Sequence, residues 1–340
     1  MGDTYMEDIF SQPESLKECV NMLGKQTETV MEIKSKGYRK IIFTGMGSSN
    51  YCAITAEQYL TEQGWLSLRY STAELIYSYF DAVQEDTLLV IISQSGESGE
   101  VVKLLEKLSR KICVIGITNN PESTLAKKSS YSLFMNVSME KSVTTRTYMA
   151  GIAVTLFLAM SLSGISYGEF LKGLLKCIKN METILNESIE WKKKVEEFPD
   201  ITNTMWLLGR GIDYGTALAG TLFFREVSRV MSIAEYCGEF RHGPFEVVDS
   251  GFLAILITTD KEVHRLNKNL LEKIRGKGGH VFIISDQSEE EPAIVLPICD
   301  KWYSQFLTII PIQILADCIA KKKGIKSGEF RWGSKITKGE

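Results

Sequence analysis

The chain has 340 residues, with 39 Lys and Arg against 42 Asp and Glu for a formal net charge of −3. That balance excludes a general nucleic-acid binder, which needs clustered cations to neutralise phosphates. A hydrophobic share of 44% with 24% charged residues excludes wholesale disorder, collagen and coiled coil, and at roughly 150 residues per domain the length predicts about two domains.

The cysteines are Cys19, Cys52, Cys113, Cys177, Cys237, Cys299 and Cys318, with no C-x-x-C pair. An odd, scattered set among apolar neighbours predicts free thiols in a reducing cytoplasm. The opening MGDTYMEDIF carries Asp3, Glu7 and Asp8 where a secretory leader needs positive charge and then an apolar run, so no leader is expected.

Residues 8–36 read as one helix, with Pro13 near its start and Leu16, Val20, Leu23, Val30 and Ile33 at helical spacing. A strand follows at Lys40–Gly45, then the loop Met46–Asn50 and a helical pattern to Gln63. The grammar repeats: strand Thr87–Ser93, loop Gln94–Ser98, helix Gly99–Arg110, strand Ile112–Thr118 and strand Tyr131–Val137. Tyr148–Tyr167 carries no charge and is nearly as long as a membrane span, but Gly151, Gly164 and its Ser and Thr residues dilute it. No second such segment is expected, and a buried helix between layers is the reading.

Glu182–Glu197 reads as a charged linking helix ended by Pro199. The second half then restates the first: strand Met205–Gly209, helix to Val230, strand Phe252–Thr259, helix Lys261–Lys277, strand His280–Ser285, strand Ile294–Cys299 and helix Tyr303–Lys323. IIFTGMGSS aligns with WLLGRGIDY, and VIGITNN with FIISDQS, at a spacing of about 165 residues. Continuous apolar strands alternating with helices predict parallel sheets covered on both faces, in two α/β domains of one ancestry. Lys192–Lys194 and Lys321–Lys323 read as solvated helix faces.

Two loops carry candidate chemistry. Ile92-Ser-Gln-Ser-Gly-Glu-Ser98 joins a buried strand to a helix, where unsatisfied N–H groups favour an anion. Ser93, Ser95 and Ser98 add hydroxyls, and Gly96 permits a tight turn. No lysine is present, which suits a sugar monophosphate better than a nucleotide; ordinary capping of the helix is the plainer alternative. Gly45-Met-Gly-Ser-Ser49 ends a strand in the same way, lacks the third glycine of a dinucleotide fingerprint and has no acidic residue closing the next strand, so NAD is excluded. Both loops lie at carboxyl ends of parallel strands, where such sheets bind ligands.

Of three histidines, His264 and His280 have unremarkable surroundings. His242 lies in Cys237-Gly-Glu-Phe-Arg-His-Gly-Pro244, either a site loop or a structural turn. Upstream, Glu226 sits among Leu222, Phe223, Phe224 and Val227; it is either paired with Arg225 or Arg229 or a desolvated base, and spacing does not decide. No metal-ligand spacing and no Ser–His–Asp triad is readable.

Together these segments resemble the sugar isomerase (SIS) family over nearly the whole chain, specifically its double-SIS group. That group includes the isomerase half of glutamine–fructose-6-phosphate aminotransferase and the fructosamine-6-phosphate deglycases. TGMGSS resembles the family's first phosphate loop, ISQSGES its S-x-S-G-E-[ST] loop, Ser142–Thr147 its substrate loop, GEFRHGP its G-E-[LF]-[KR]-H-G-P segment, and the end from Phe330 its lysine-bearing tail.

The resemblance implies two flavodoxin-like three-layer α/β/α SIS domains. The boundaries expected are a helical arm at 1–36, a first domain at 37–167, a linking helix at 168–200, a second domain at 201–326 and an active-site tail at 327–340. By the same resemblance, Ser93, Gln94, Ser95 and Ser98 would hold a 6-phosphate, with Ser48 and Ser49 close to it and Gly47, Thr144 and Glu239 at the sugar. Glu226, sixteen residues before His242, takes the place of the proton-shuttling base. His242 would open the ring or protonate the leaving group from a neighbouring subunit, which implies a homodimer, and Lys335 would meet the sugar oxygens.

No cofactor, metal, nucleic acid or membrane is implied. Met6–Pro13 resembles the opening of the isomerase half, and no glutaminase segment or catalytic cysteine precedes it, so glutamine-dependent synthesis is not expected. Phe223 stands where the aminotransferase has a lysine one turn before its base. That resembles the deglycases, as does GEFRHGP followed by Phe245-Glu246, whereas Lys335 resembles the aminotransferase and deaminase branch. The expected activity is amine removal from a phosphosugar in the cytoplasm, with plain aldose–ketose isomerisation or non-catalytic sensing as alternatives.

Overall fold

The computed structural model describes residues 4–140, 143–196, 204–287 and 290–332. Three helices open the chain: α1 (Thr4–Phe10), α2 (Gln12–Lys25) and α3 (Thr27–Ser35). The single helix expected over 8–36 is therefore broken twice. Pro13 sits in the first turn of α2, where its missing N–H costs nothing. The second break falls at Gln26, whose side chain is held by the Phe134 backbone: its amide donates to the carbonyl at 3.2 Å and its oxygen accepts the N–H at 2.6 Å. A partner 108 residues away leaves no trace in local periodicity.

Next come β1 (Lys40–Gly45), α4 (Ser48–Tyr51), α5 (Ile54–Glu62), β2 (Leu66–Ser71), α6 (Thr72–Tyr77), β3 (Thr87–Ile92), α7 (Gly99–Lys107), β4 (Cys113–Thr118), α8 (Thr124–Lys128), β5 (Tyr131–Phe134) and α9 (Arg146–Leu162). All pairings are parallel, in the order β2-β1-β3-β4-β5. β1, β3 and β4 are continuous apolar runs, as central strands covered on both faces must be. Strand β2 was not expected: LSLRYS is an edge strand, exposed or half-buried throughout, and lacks that run. α9 is buried along nearly its full length and packs against α2, α3 and α5.

Helix α10 (Tyr167–Glu196) has 30 residues, so it starts well before the expected Glu182; its expected stop at Pro199 lies outside the described residues. The second half comprises β6 (Met205–Gly209), α11 (Asp213–Phe223), β7 (Ser232–Tyr236), β8 (Leu253–Thr258), α12 (His264–Gly276), β9 (His280–Ser285), β10 (Ala293–Val295) and α13 (Ser304–Lys322). Its sheet is also all parallel, ordered β10-β9-β8-β6-β7. Read in chain order, both sheets have the same topology, which is the repeat expected from the sequence. β7 was missed for the same reason as β2: SIAEY is a half-exposed edge strand.

The chain divides into two compact units, one built on Ser11–Leu175 and the other on Lys176–Glu329 together with α1. Among the described residues one helix is long and apolar enough to cross a membrane, and it is not the expected segment, which forms the shorter α9, but Lys301–Lys322, with 94% of its most apolar window buried. It is the core helix of the second unit, packing on α11 and α1. All seven cysteines are free thiols, and Cys19, Cys52, Cys177 and Cys237 are buried.

Candidate active site

In the first unit β1 and β3 are neighbours whose crossovers leave in opposite directions, which makes the gap between their carboxyl ends the topological switch point of the sheet. The two loops singled out in the sequence leave these two strands. Gly45 ends β1 so close to the next turn that a Cβ there would come within 2.8 Å of the Ser49 carbonyl oxygen and 2.9 Å of that of Ile92. Gly47 precedes α4 at a positive φ of 51°, and Ser48 and Ser49 open the helix half-buried.

The second loop is held by its own hydroxyls. Ser93 Oγ accepts the Gly96 N–H at 3.1 Å, and Ser95 Oγ accepts that of Glu97 at 3.2 Å. Ser93 and Ser98 share one hydrogen bond at 3.2 Å. Accepting from the backbone leaves hydroxyl protons to give: that of Ser95, and that of whichever of Ser93 and Ser98 does not donate to the other. Ser98 stands at the N-cap of α7 but makes no side-chain cap, so the first turn's N–H groups face the same gap. Gln94 is half-buried, and its carbonyl accepts from Asn119 N–H at 3.0 Å and Thr118 Oγ1 at 3.2 Å. Gly96 takes φ +65°, with Ser123 where a side chain would be.

Glu97, a member of the ISQSGES loop without an expected role, fixes this loop. Its carboxylate accepts Thr124 N–H at 2.5 Å and Thr124 Oγ1 at 3.0 Å, capping α8. Glu140 is another residue the sequence reading passed over. Only 2% exposed, it accepts the N–H of Thr145 at 2.7 Å and that of Thr147 at 2.9 Å, and the Thr147 hydroxyl at 2.7 Å. It thereby closes the N-terminus of α9 beside half-buried Thr144. Ser142 lies outside the described residues. In both cases the sequence shows a carboxylate a few residues from Ser or Thr but not that the chain brings them together.

The equivalent gap in the second unit, after β6 and β8, is filled by its own side chains. Buried Asp213 accepts the Thr259 N–H at 2.8 Å and its hydroxyl at 2.7 Å, and burial pushes its carboxyl up to about 6. Arg210 Nε donates to Asn267 Oδ1 at 2.8 Å. A crevice holding a carboxylate in place of serines is no cradle for phosphate, so the phosphate reading rests on the first unit.

Glu226 lies in a single π-helical turn, Phe224–Ser228, into which α11 widens after Phe223; such turns recur at functional sites. The helix was expected to run to Val230, but Arg229 ends it at a left-handed φ of 53°. Neither arginine pairs with Glu226. Arg225 donates to the Ser232 carbonyl, and Arg229 Nη2 to that of Glu329 at 3.4 Å. Among the described residues no ion pair or hydrogen bond engages the Glu226 carboxylate, and burial alone pushes it up to about 7. Phe223, immediately before this turn, is fully buried.

His242 is exposed, following a short helical turn at Glu239–Arg241, and its N–H donates to the carbonyl of exposed Glu239 at 2.8 Å. Its loop covers one face of the second sheet: Phe240 packs on Trp206 at 5.3 Å between ring centroids and joins the buried cluster of Leu208, Leu256 and Leu270. α11 lies on the opposite face, where a Cβ on Gly220 would come within 2.4 Å of Leu207. The sheet thus separates the helix leading to Glu226 from the loop carrying His242. Lys335 lies outside the described residues.

A family model described as the SIS domain matches residues 35–161 and 202–293. The chain belongs to the SIS domain family. The first match covers β1 to β5 and the second β6 to β9, so the internal repeat is a pair of SIS domains. Over 330 residues the chain is 28% identical to glutamine–fructose-6-phosphate aminotransferase (isomerizing) of Pyrococcus horikoshii, covering 94% of this chain and 55% of the relative. It therefore spans about half the length of the curated relatives it matches.

Among solved structures, the C-terminal domain of glucosamine-fructose-6-phosphate aminotransferase from Francisella tularensis superposes with TM-score 0.81 at 22% identity, covering 95% of this chain and 97% of that one. Glucosamine-6-phosphate deaminase from Thermotoga maritima superposes with TM-score 0.79 at 23% identity, covering 98% and 99%. At these identities the structures show that the double-SIS fold is shared.

Proposed function

We propose that this SIS protein is a cytoplasmic enzyme that removes an amine at C1 or C2 of an aminated 6-phosphosugar, as a fructosamine-6-phosphate deglycase or an amino-sugar-phosphate deaminase. The observation that carries the reading is Glu226: a carboxyl group raised to about 7 by burial, with no cation partner among the described residues. Near neutral pH such a group takes a proton from one carbon and returns it to the neighbouring atom, which interconversion through an enediol or enolamine requires. The serine loops of the first unit supply donors for the phosphate; Glu97 ties the second of them to α8, and Glu140 fixes the N-terminus of α9 beside Thr144.

His242 would act from a second subunit on ring opening or on the leaving amine. Its separation from the Glu226 helix by the thickness of a sheet supports a homodimer whose sites are shared, with Lys335 completing each. The phenylalanine at 223 favours amine removal.

The test is incubation with fructoselysine 6-phosphate, fructose-asparagine 6-phosphate, glucosamine 6-phosphate and fructose 6-phosphate, followed by assay of free amine and glucose 6-phosphate. Amine release from one of the first three is expected. Isomerisation of fructose 6-phosphate with no amine released from any would replace this reading with an aldose–ketose isomerase. Binding without turnover of all four would replace it with a sensor.

A further inference from the structure

At the edge of the second sheet where β6, β7 and β8 begin, a cavity of about 650 Å³ opens. Its volume lies in the range of small-molecule sites, roughly 300–1,000 Å³. It belongs to a different unit from the serine loops, and it lies where the strands of its own sheet begin, whereas those loops leave the carboxyl ends of theirs. Two cations line it. Lys323 Nζ donates to the Arg229 backbone carbonyl at 3.3 Å, and both residues line the cavity. Among the described residues neither is in an ion pair; the Arg229 guanidinium makes only the bond to the Glu329 carbonyl. The acid on the lining, Asp249, turns its Oδ1 to the Gly251 N–H at 2.8 Å. The remaining wall is apolar: the half-buried ring of Trp206, Val247, and Met231 at 67% exposure.

Two cations outside any ion pair among the described residues, with one acid on the lining and an aromatic and a thioether surface beside them, describe a receptor for a particular chemistry. We infer that this cavity binds a small anion bearing phosphate or carboxylate groups on an apolar body, with Arg229 and Lys323 at the charge and Trp206 and Met231 at the body. Arg229 also ends the π-helical turn that holds Glu226, and it meets the chain at Glu329. An occupied cavity therefore bears on the turn carrying Glu226 and on the root of the C-terminal segment together. The inference concerns binding and stands whether or not the chain catalyses amine removal.

Pyrophosphate and adenosine diphosphate serve as probes, titrated at low ionic strength by calorimetry and by the fluorescence that is lost in Trp206→Phe. Saturable binding is expected, with Trp206 emission changing and adenosine diphosphate binding more tightly than pyrophosphate. Arg229→Ala with Lys323→Ala should weaken it at least tenfold, while Ser93→Ala with Ser95→Ala leaves it unchanged. Circular dichroism and the melting temperature of each variant separate lost binding from lost fold. Three results overturn the inference: no saturable binding of either probe, binding abolished by the serine variant and indifferent to Arg229 and Lys323, or dissociation of a dimer in the Arg229 and Lys323 variant, which makes the cavity an interface between copies.

Discussion

A carboxyl group that titrates near 7 affects both rate and stability, and the two effects have opposite signs at Glu226. As a base it must be ionised, so turnover should fall as pH drops below about 7. In the folded state its pKa is raised from 4.5, so burial of the charged form is the disfavoured state. Its contribution to stability is complete below the unfolded value and is lost as pH rises through the folded one. Glu226→Gln should keep substrate affinity, lose turnover by about 10²-fold or more, and gain melting temperature over wild type at pH 8 relative to pH 5. Equal melting-temperature differences at both pH values would show that the carboxyl group is not desolvated. The sequence showed this residue among apolar neighbours with two arginines in reach, and nothing in its spacing separated an ion pair from an isolated acid. The choice was made by Ser232 and Glu329, whose carbonyls take the arginines and are invisible as partners in a linear reading.

At the scale of the element, the loop after β3 is set by Gly96. A side chain there meets a left-handed φ and a Ser123 hydroxyl at 2.3 Å. Gly96→Ala should displace the loop and raise KM for a phosphorylated substrate at least as strongly as Ser93→Ala with Ser95→Ala, in which each lost donor to a charged group costs about 1.5–3 kcal/mol. An unchanged KM in both variants would remove the phosphate from this loop. The elements bearing these loops were legible because a strand buried on both faces must be apolar at every position, as Leu88–Ile92 and Ile41–Phe43 are. Edge strands β2 and β7 escape that rule, since one side of each faces solvent and their polar residues interrupt the run. The π-helical turn escapes too, because an inserted residue in a helix changes neither composition nor apolar content.

For the whole molecule, a site completed across two subunits predicts complementation. Inactive Glu226→Gln and His242→Ala proteins, mixed and re-equilibrated, should recover roughly a quarter of wild-type activity, since random exchange gives half heterodimers, each with one intact site. Absence of recovery despite demonstrated exchange would place both groups in one chain. The repeat itself was visible as two aligned strand ends, yet the sequence could not show that the second copy has lost its cradle. Asp213 reads as an ordinary helix-opening acid until Thr259 is seen to fill the gap with it.

The buried thiols give each half of the molecule its own clock. Cys19 and Cys52 lie in one unit, Cys177 and Cys237 in the other; burial raises the first two and Cys237 to about 12 and pushes Cys177 well above the ordinary thiol value. Alkylating reagents attack the thiolate, so at neutral pH these four report only when the surrounding structure opens. Mass spectrometry of pulse-alkylated protein, digested so that each cysteine is resolved, should therefore show Cys19 and Cys52 modified at one shared rate and Cys177 and Cys237 at another. Half-buried Cys113 and Cys318 should react before these four, whereas Cys299, raised by burial to about 12 as well, should lag behind them. A phosphosugar held by the serine loops of the first unit would slow the first pair more than the second, so that occupancy of the site is read from the age of two sulfur atoms.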